Sequence, residues 1–288
     1  MSACHQRTFQ HGFGEEMMPE LPEVETIGKD LRRILSGRCF TGATVHWPPT
    51  IARPSAEEFR QRIVGQRILD VGRRGKYLIF RLSGGDHLLI HLGMTGQLLI
   101  REAGAAMEPH LRVVFDLDDG RQLRFDDTRK FGRIYLVDDP AIVVGKLGPE
   151  PLAEDFTPEV FSHLLARRRG RLKSLLLNQK FLAGLGNIYA DEALFAARLH
   201  PLRRADSLTP TEVERLHRGM RRVLRQALAH RGTTFDGSYR DPAGEEGTHQ
   251  EELAVFRRTG QPCPRCGTSI ERLVVGGRGT HFCPRCQI

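Results

Sequence analysis

Cys263-Pro-Arg-Cys266 and Cys283-Pro-Arg-Cys286 form two Cys-x2-Cys knuckles with sixteen residues between them. Each knuckle can aim two thiolates at one ion, and two knuckles complete a tetrahedral shell, so the spacing reads as a site for one Zn2+. Two disulfides could use the same residues, but residues 1–18 lack the basic and apolar regions of a secretory signal, and a reducing cytoplasm disfavours them. Four sulfur ligands leave no position for a reacting molecule, which makes the expected zinc structural. Cys4 and Cys39 stand apart from this pattern.

Upstream of the knuckles the hydrophobic period changes twice. From Glu20 to Gly37, Val24, Ile27, Leu31, Ile34 and Leu35 follow helical spacing, with Pro22 near the start and Gly37 as a stop. Short alternating or apolar runs then predict strands at Lys76–Leu82, His87–Leu92, Leu98–Arg101, Arg112–Leu117, Gln122–Phe125 and Arg133–Val137, with Asp119-Gly120 as a hairpin turn. Such a series suggests a sandwich or barrel. Around Leu147-Gly-Pro-Glu-Pro151 the composition becomes that of a linker, and helix signals follow: Thr157-Pro158, Thr209-Pro210 and a capping box from Thr209 to Glu212. The last helix carries Val213, Leu216, Met220, Val223, Leu224, Ala227 and Leu228 on one face; its arginines 215, 218, 221, 222 and 225 read as a solvated flank. Phe235 to Gln250 reads as a long polar loop.

The 288 residues suffice for one large domain or two ordinary ones. A 40% hydrophobic and 27% charged composition is that of a soluble globular protein, and no apolar run approaches the roughly 18 residues of a membrane span. Forty-three Lys and Arg against 35 Asp and Glu favour a polyanionic partner. The cations cluster, with nine Arg between Arg198 and Arg231 and five cations between Arg167 and Lys173, as nucleic-acid binding requires.

Six blocks carry a resemblance. Met18-Pro-Glu-Leu-Pro-Glu-Val-Glu-Thr26, Arg74-Gly-Lys76-Tyr77, His91-Leu-Gly-Met94, Thr128-Arg-Lys-Phe-Gly132, Gly184-Leu-Gly-Asn-Ile-Tyr-Ala-Asp-Glu192 and the four-cysteine finger resemble, in order, the formamidopyrimidine-DNA glycosylase family. The resemblance implies an α+β multidomain fold: an N-terminal β-sandwich with an N-terminal helix, a helix-two-turn-helix domain and a zinc-finger β-hairpin. The expected limits are 19–147 for the sandwich, 148–156 for the linker, 157–250 for the helical domain and 251–288 for the finger. It also implies a bifunctional DNA glycosylase and abasic-site lyase acting on oxidised purines in damaged duplex DNA, monomeric and cytoplasmic, associated with the nucleoid through DNA.

By the same resemblance Pro19 is the nucleophile, Glu20 the acid/base, Lys76 the general acid for β-elimination and Arg278 the phosphate-gripping finger arginine. Met94, Arg129 and Phe131 fill the gap left by the flipped base. His110, Arg129, Arg169, Lys173 and Asn187 contact DNA, and Glu192 supports the helical turn. As written, Pro19 is internal and its nitrogen is an amide, so the proline chemistry expects initiation at Met18 and methionine removal, with residues 1–18 absent from the mature enzyme. Two other readings stay open: the endonuclease VIII branch, which prefers oxidised pyrimidines, and a non-catalytic zinc-finger DNA-binding protein.

Overall fold

The computed structural model describes residues 18–235, 237 and 239–288. Residues 1–17 of the expected extension, Cys4 among them, lie outside the described residues, as do positions 236 and 238 of the long polar loop. Helix α1 (Leu21–Leu35) comes first, with Pro22 in its opening turn and Gly37 leaving it at φ +86°. Strands β1 (Phe40–Val45) and β2 (Ile51–Arg53), helix α2 (Ala56–Ile63), then β3 (Ile68–Arg74), β4 (Tyr77–Leu82), β5 (His87–His91), β6 (Gly96–Glu102), β7 (Leu111–Leu117), β8 (Arg121–Asp127) and β9 (Arg133–Val137) complete the first half.

These strands form two sheets, β1-β7-β8-β6 and β2-β9-β5-β4-β3. The alternation that marked the strands is the alternation of the core: Leu78, Phe80, Leu88, Ile90 and Ile134 from one sheet meet Phe40, Val113, Phe115, Leu123 and Phe125 from the other. The sandwich expectation therefore holds, with Asp119-Gly120 turning β7 into β8. Lys76, expected to begin a strand, lies in the β3–β4 turn instead, because Arg74 pairs with Tyr77 across it.

Beyond α3 (Ala141–Val144) the chain is helical: α4 (Pro158–Ala166), α5 (Leu172–Leu177), α6 (Asn187–Ala197) and α7 (Pro210–Ala229). Thr157 and Thr209 cap α4 and α7, and Glu212 completes the capping box as expected. Helix α6 is buried almost all round, which is why its sequence shows no amphipathic stripe. Two arginines of α7 depart from the solvated reading: Arg221 donates to the carbonyls of Pro151 and Ala153 in the linker, and Arg215 to that of Ala197. The chain ends in the hairpin of β10 (Glu271–Val275) and β11 (Arg278–Phe282).

Helix α1 joins the halves, since Leu21 packs in the helical core while Val24, Ile27 and Leu31 pack in the sandwich. The long polar loop is a second tie. Tyr239 is buried against the sandwich core, Pro242 accepts a hydrogen bond from Ile100 N on edge strand β6, and Arg231 pairs with both Asp30 and Asp241. Among the described residues no helix is long and apolar enough to cross a membrane.

Candidate active site

The start of α1 and the start of α6 meet at one carboxylate. Glu20, the N-cap of α1, accepts from the backbone N–H groups of Gly186 at 2.6 Å, Ile188 at 2.9 Å and Tyr189 at 3.4 Å. Burial pushes its carboxyl from 4.5 up to about 7, against the pull of the nearby Lys76 ammonium and of those N–H donors. Burial likewise holds the Lys76 amine below its ordinary range, opposed by Glu20 and Glu23 and assisted by the charge of Arg278. A carboxyl raised and an amine lowered at one place bring the two groups' proton affinities closer together, the arrangement of an acid/base pair.

A cavity of about 100 Å³ opens at this junction, and Met18, Glu20, Lys76, Met94, Asn187 and Arg278 all line it. Pro19, between Met18 and Glu20, is buried and does not itself line the cavity. The side-chain oxygen of Asn187 is buried here without a hydrogen-bond partner among the described residues, so the cavity holds a polar group unsatisfied by the protein. Arg278 reaches the cavity from the finger hairpin, whose tip turns through Gly276 at φ +58° and Gly277 at φ +76°.

Met94 sits in the β5–β6 turn and Arg129 and Phe131 in the β8–β9 loop. The two segments touch so closely that a Cβ on Gly93 would lie 2.7 Å from Gly132 N. Buried Asp127 fastens them together by accepting from Thr95 Oγ1 at 2.6 Å, Arg129 N at 3.3 Å and Gly132 N at 2.8 Å. Arg129 lies over the Phe131 ring at 4.8 Å, and Phe131 is 47% exposed, an unusual position for a large apolar side chain. His110 is half-buried ahead of β7 and Arg169 is exposed ahead of α5.

Lys173 does not fit its expected role as a surface phosphate contact. It is fully buried, donating to Asp191 Oδ1 at 2.5 Å and to the carbonyl of Asn187 at 3.1 Å. It is a positioning cation for the start of α6. Glu192, expected to support the turn before α6, instead accepts from the N–H groups of Ala254, Val255 and Phe256 and ties the finger to α6.

Glu23 escaped the sequence reading. Its buried carboxylate accepts from Glu20 N, Tyr189 Oη and Thr233 N, linking α1, α6 and the segment between α7 and the polar loop. The available signal was its position three residues after an N-cap acid, the spacing of a capping box. Glu150 was also missed: it accepts from Arg73, Arg74 and Gly75 N, fixing the Lys76 turn to the linker.

The Sγ atoms of Cys263, Cys266, Cys283 and Cys286 all lie within 4.8 Å of one another. Cys263 and Cys286 are 3.9 Å apart and Cys266 and Cys283 3.5 Å, bracketing the roughly 3.8 Å edge of a tetrahedron with 2.3 Å zinc–sulfur bonds. The cluster suits one zinc ion. Phe195, Val255 and Ile270 pack around it, so its work is to hold the β10–β11 hairpin against α6.

Comparison with known proteins agrees along the whole described chain. The formamidopyrimidine-DNA glycosylase N-terminal domain matches residues 18–134, the H2TH domain of the same enzymes matches 147–238, and a zinc finger found in FPG and IleRS matches 260–288. A formamidopyrimidine-DNA glycosylase of Chloroflexus aurantiacus is 48% identical, over 94% of this chain and 98% of its own, and one of Symbiobacterium thermophilum is 51% identical over 88% and 84%. Among solved structures, the MutM (Fpg) protein of Thermus thermophilus superposes with a TM-score of 0.85 at 46% identity, over 93% of this chain and 98% of that one. The Lactococcus lactis Fpg in complex with abasic-site DNA superposes at 0.87 with 34% identity, over 93% and 99%.

Proposed function

The chain belongs to the formamidopyrimidine-DNA glycosylase family, and on that footing we propose that it flips oxidised purines out of duplex DNA, excises them and cleaves the strand by β- and δ-elimination. The observation that carries this reading is the cavity at the α1–α6 junction, where a carboxyl titrating near 7 faces a buried lysine beside the Met18–Pro19 peptide.

The nucleophile is the Pro19 amine. An α-amine titrates near 8 and keeps an appreciable neutral fraction at physiological pH. Attack on C1′ displaces the base; the amine then loses its proton, the C1′–O4′ bond opens as O4′ is protonated, and an iminium ion is left. A secondary amine has no proton left to lose there, so the iminium stays cationic and draws electrons for elimination of the 3′ and then the 5′ phosphate. This chemistry requires that residues 1–18 be absent from the active species, because an internal proline nitrogen is an amide. Loss of Met18, a lining residue, would open the cavity to the new amine.

Glu20 delivers a proton to the opening sugar and takes one back, Lys76 serves β-elimination, and Arg278 grips the flanking phosphates with its planar fork. Met94 and Phe131 replace the stacking of the extruded base, and Arg129 hydrogen-bonds the orphaned cytosine. His110, Arg169 and the Asn187 turn hold the backbone, with Lys173 acting through Asn187. The four cysteines would hold a zinc ion that supplies a structural staple and no chemistry. The limits 19–147, 148–156, 157–250 and 251–288 divide this machinery, which works as a cytoplasmic monomer on chromosomal DNA.

Borohydride trapping tests the reading with protein beginning at Pro19. A covalent adduct with an 8-oxoguanine duplex, absent when the Pro19 amine is blocked by acylation and weaker with a thymine glycol duplex, is the expected result. Stronger trapping on thymine glycol would support the endonuclease VIII branch, and no adduct would leave a DNA-binding module. An active species whose intact mass includes residues 1–18 would overturn the assignment of Pro19.

A further inference from the structure

A second basic site lies at the far end of α6. Arg198, Arg215, Arg265 and Arg285 line a cavity of about 660 Å³ with Cys266, Cys286 and Ile288, and Arg222 on α7 is near enough for its charge to act on Arg265. None of these residues lines the catalytic cavity, which sits at the N-terminal end of α6. Eleven residues of helix put roughly 16 Å between the two, most of the width of a DNA duplex.

Two of the arginines are structural. Arg265 donates to the carbonyls of Phe195 at 2.6 Å and Ala196 at 3.4 Å and stacks 4.0 Å over the Phe195 ring, while Arg215 donates to Ala197 O at 2.5 Å. They satisfy the free carbonyls that end α6. Arg198, Arg222 and Arg285 are exposed, and their guanidinium groups make no hydrogen bond or ion pair among the described residues. The neighbouring carboxylate, Glu212, is shared among Arg203 at 3.2 Å, the Thr209 cap and Arg215 itself at 3.9 Å. Four thiolates around a zinc ion carry two negative charges, which offset two of the five arginines, and Glu212 beside Arg215 offsets part of a third. A surplus of positive charge remains on a concave surface with two guanidinium groups already fixed in place.

We propose that this surface binds the phosphate backbone of a second duplex segment while the catalytic cleft holds the first. Charge complementarity and the planar guanidinium forks select phosphodiester oxygens. The finger would then work at both ends: its tip carries Arg278 into the cleft, and its base carries Arg265 and Arg285 to the second segment. An enzyme so built passes between DNA segments without releasing both.

The test saturates the cleft of the zinc-loaded protein with one equivalent of abasic-analogue duplex and titrates a labelled, undamaged duplex by fluorescence anisotropy. The wild type is expected to bind the second duplex in a salt-dependent manner. R222Q/R285Q should weaken that binding at least tenfold and flatten its log–log salt slope by about 2, as loss of two phosphate contacts requires. Zinc content and excision from an 8-oxoguanine duplex should stay within twofold, which separates failure here from failure of the glycosylase reading. Absence of a second bound duplex, or equal binding by R222Q/R285Q, overturns the proposal. Tighter binding of polyglutamate than of duplex would overturn it in favour of an acidic protein partner.

Discussion

The Glu20 carboxylate accepts a 2.6 Å hydrogen bond from Gly186 N across 166 residues of chain. That contact places the cap of the first helix of the sandwich on the N-terminus of the most buried helix of the second domain. The position of the acid/base group is therefore set by how the two halves dock.

Gly186 should tolerate no side chain. A Cβ there would lie 2.4 Å from Glu20 Cδ, so the carboxylate would have to leave the N–H donors of Gly186, Ile188 and Tyr189 that position it. Gly186→Ala is expected to lower single-turnover excision about 100-fold, the usual consequence of misplacing a catalytic group by an ångström. Binding of undamaged duplex, measured by anisotropy, should change by no more than a few-fold. Unchanged excision would separate Glu20 from the chemistry.

The pH profile follows from Glu20. With a carboxyl near 7, the acid form that protonates the sugar is lost as pH rises through 7. The amine nucleophile becomes available as pH rises toward about 8. Excision should trace a bell with its optimum between these limits. Glu20→Gln is expected to remove the alkaline limb and cost about 100-fold or more in excision rate. Cleavage of a preformed abasic site, whose sugar is already open, should suffer less.

A buried histidine gives the protein an acid sensitivity elsewhere. Burial, helped by the charge of His230, pushes His249 from 6.5 down to about 4, and its Nδ1 lies 3.4 Å from His230 Nδ1. A depressed base binds fewer protons folded than unfolded. Its contribution to stability is complete above 6.5 and is lost as pH falls toward 4. His249→Gln should flatten the fall in thermal midpoint over that window relative to wild type. Parallel curves would show that His249 titrates normally.

What the sequence made legible was what local spacing records. The cysteine knuckles, the capping box of Thr209 and Glu212, the Asp119-Gly120 turn and the inward faces of β4, β5 and β8 each depend on neighbours within a few residues. β1 and β3 were missed because Gly42, Gly72, Arg73 and Arg74 interrupt their apolar alternation, and each strand is recognisable only beside its partner. Lys173 was misread for a related reason: it stands in a run of surface cations, and its partner Asp191 lies eighteen residues away on another helix. Glu150, engaged with Arg73 and Arg74 about 75 residues away, left no local trace at all.

Chelation should act on the finger first. The small cluster around Phe195, Val255 and Ile270 is too slight to hold β10 and β11 without the metal. Removing zinc, or replacing Cys283 by Ser, is expected to displace Arg278 and weaken duplex binding at least tenfold, while hydrogen exchange in the sandwich strands stays unchanged. Full affinity after verified zinc loss would argue against the finger's role.

Asp127 should govern base extrusion without touching DNA. Its two oxygens hold Thr95, Arg129 N and Gly132 N, so the turn bearing Met94 and the loop bearing Arg129 and Phe131 share one buried anchor. Asp127→Ala leaves the Thr95 hydroxyl and Gly132 N without their acceptor, Arg129 N keeping only Thr95 Oγ1, and should cost about 2–4 kcal/mol of stability, read from denaturant unfolding. With the anchor gone, the three gap-filling side chains no longer act together. Extrusion of a paired 8-oxoguanine, followed by a fluorescent base analogue, should slow about tenfold or more. Cleavage of an abasic site should slow much less, because no base has to leave the stack there. Equal slowing on both substrates would mean that Asp127 supports the domain as a whole and has no particular hold on extrusion.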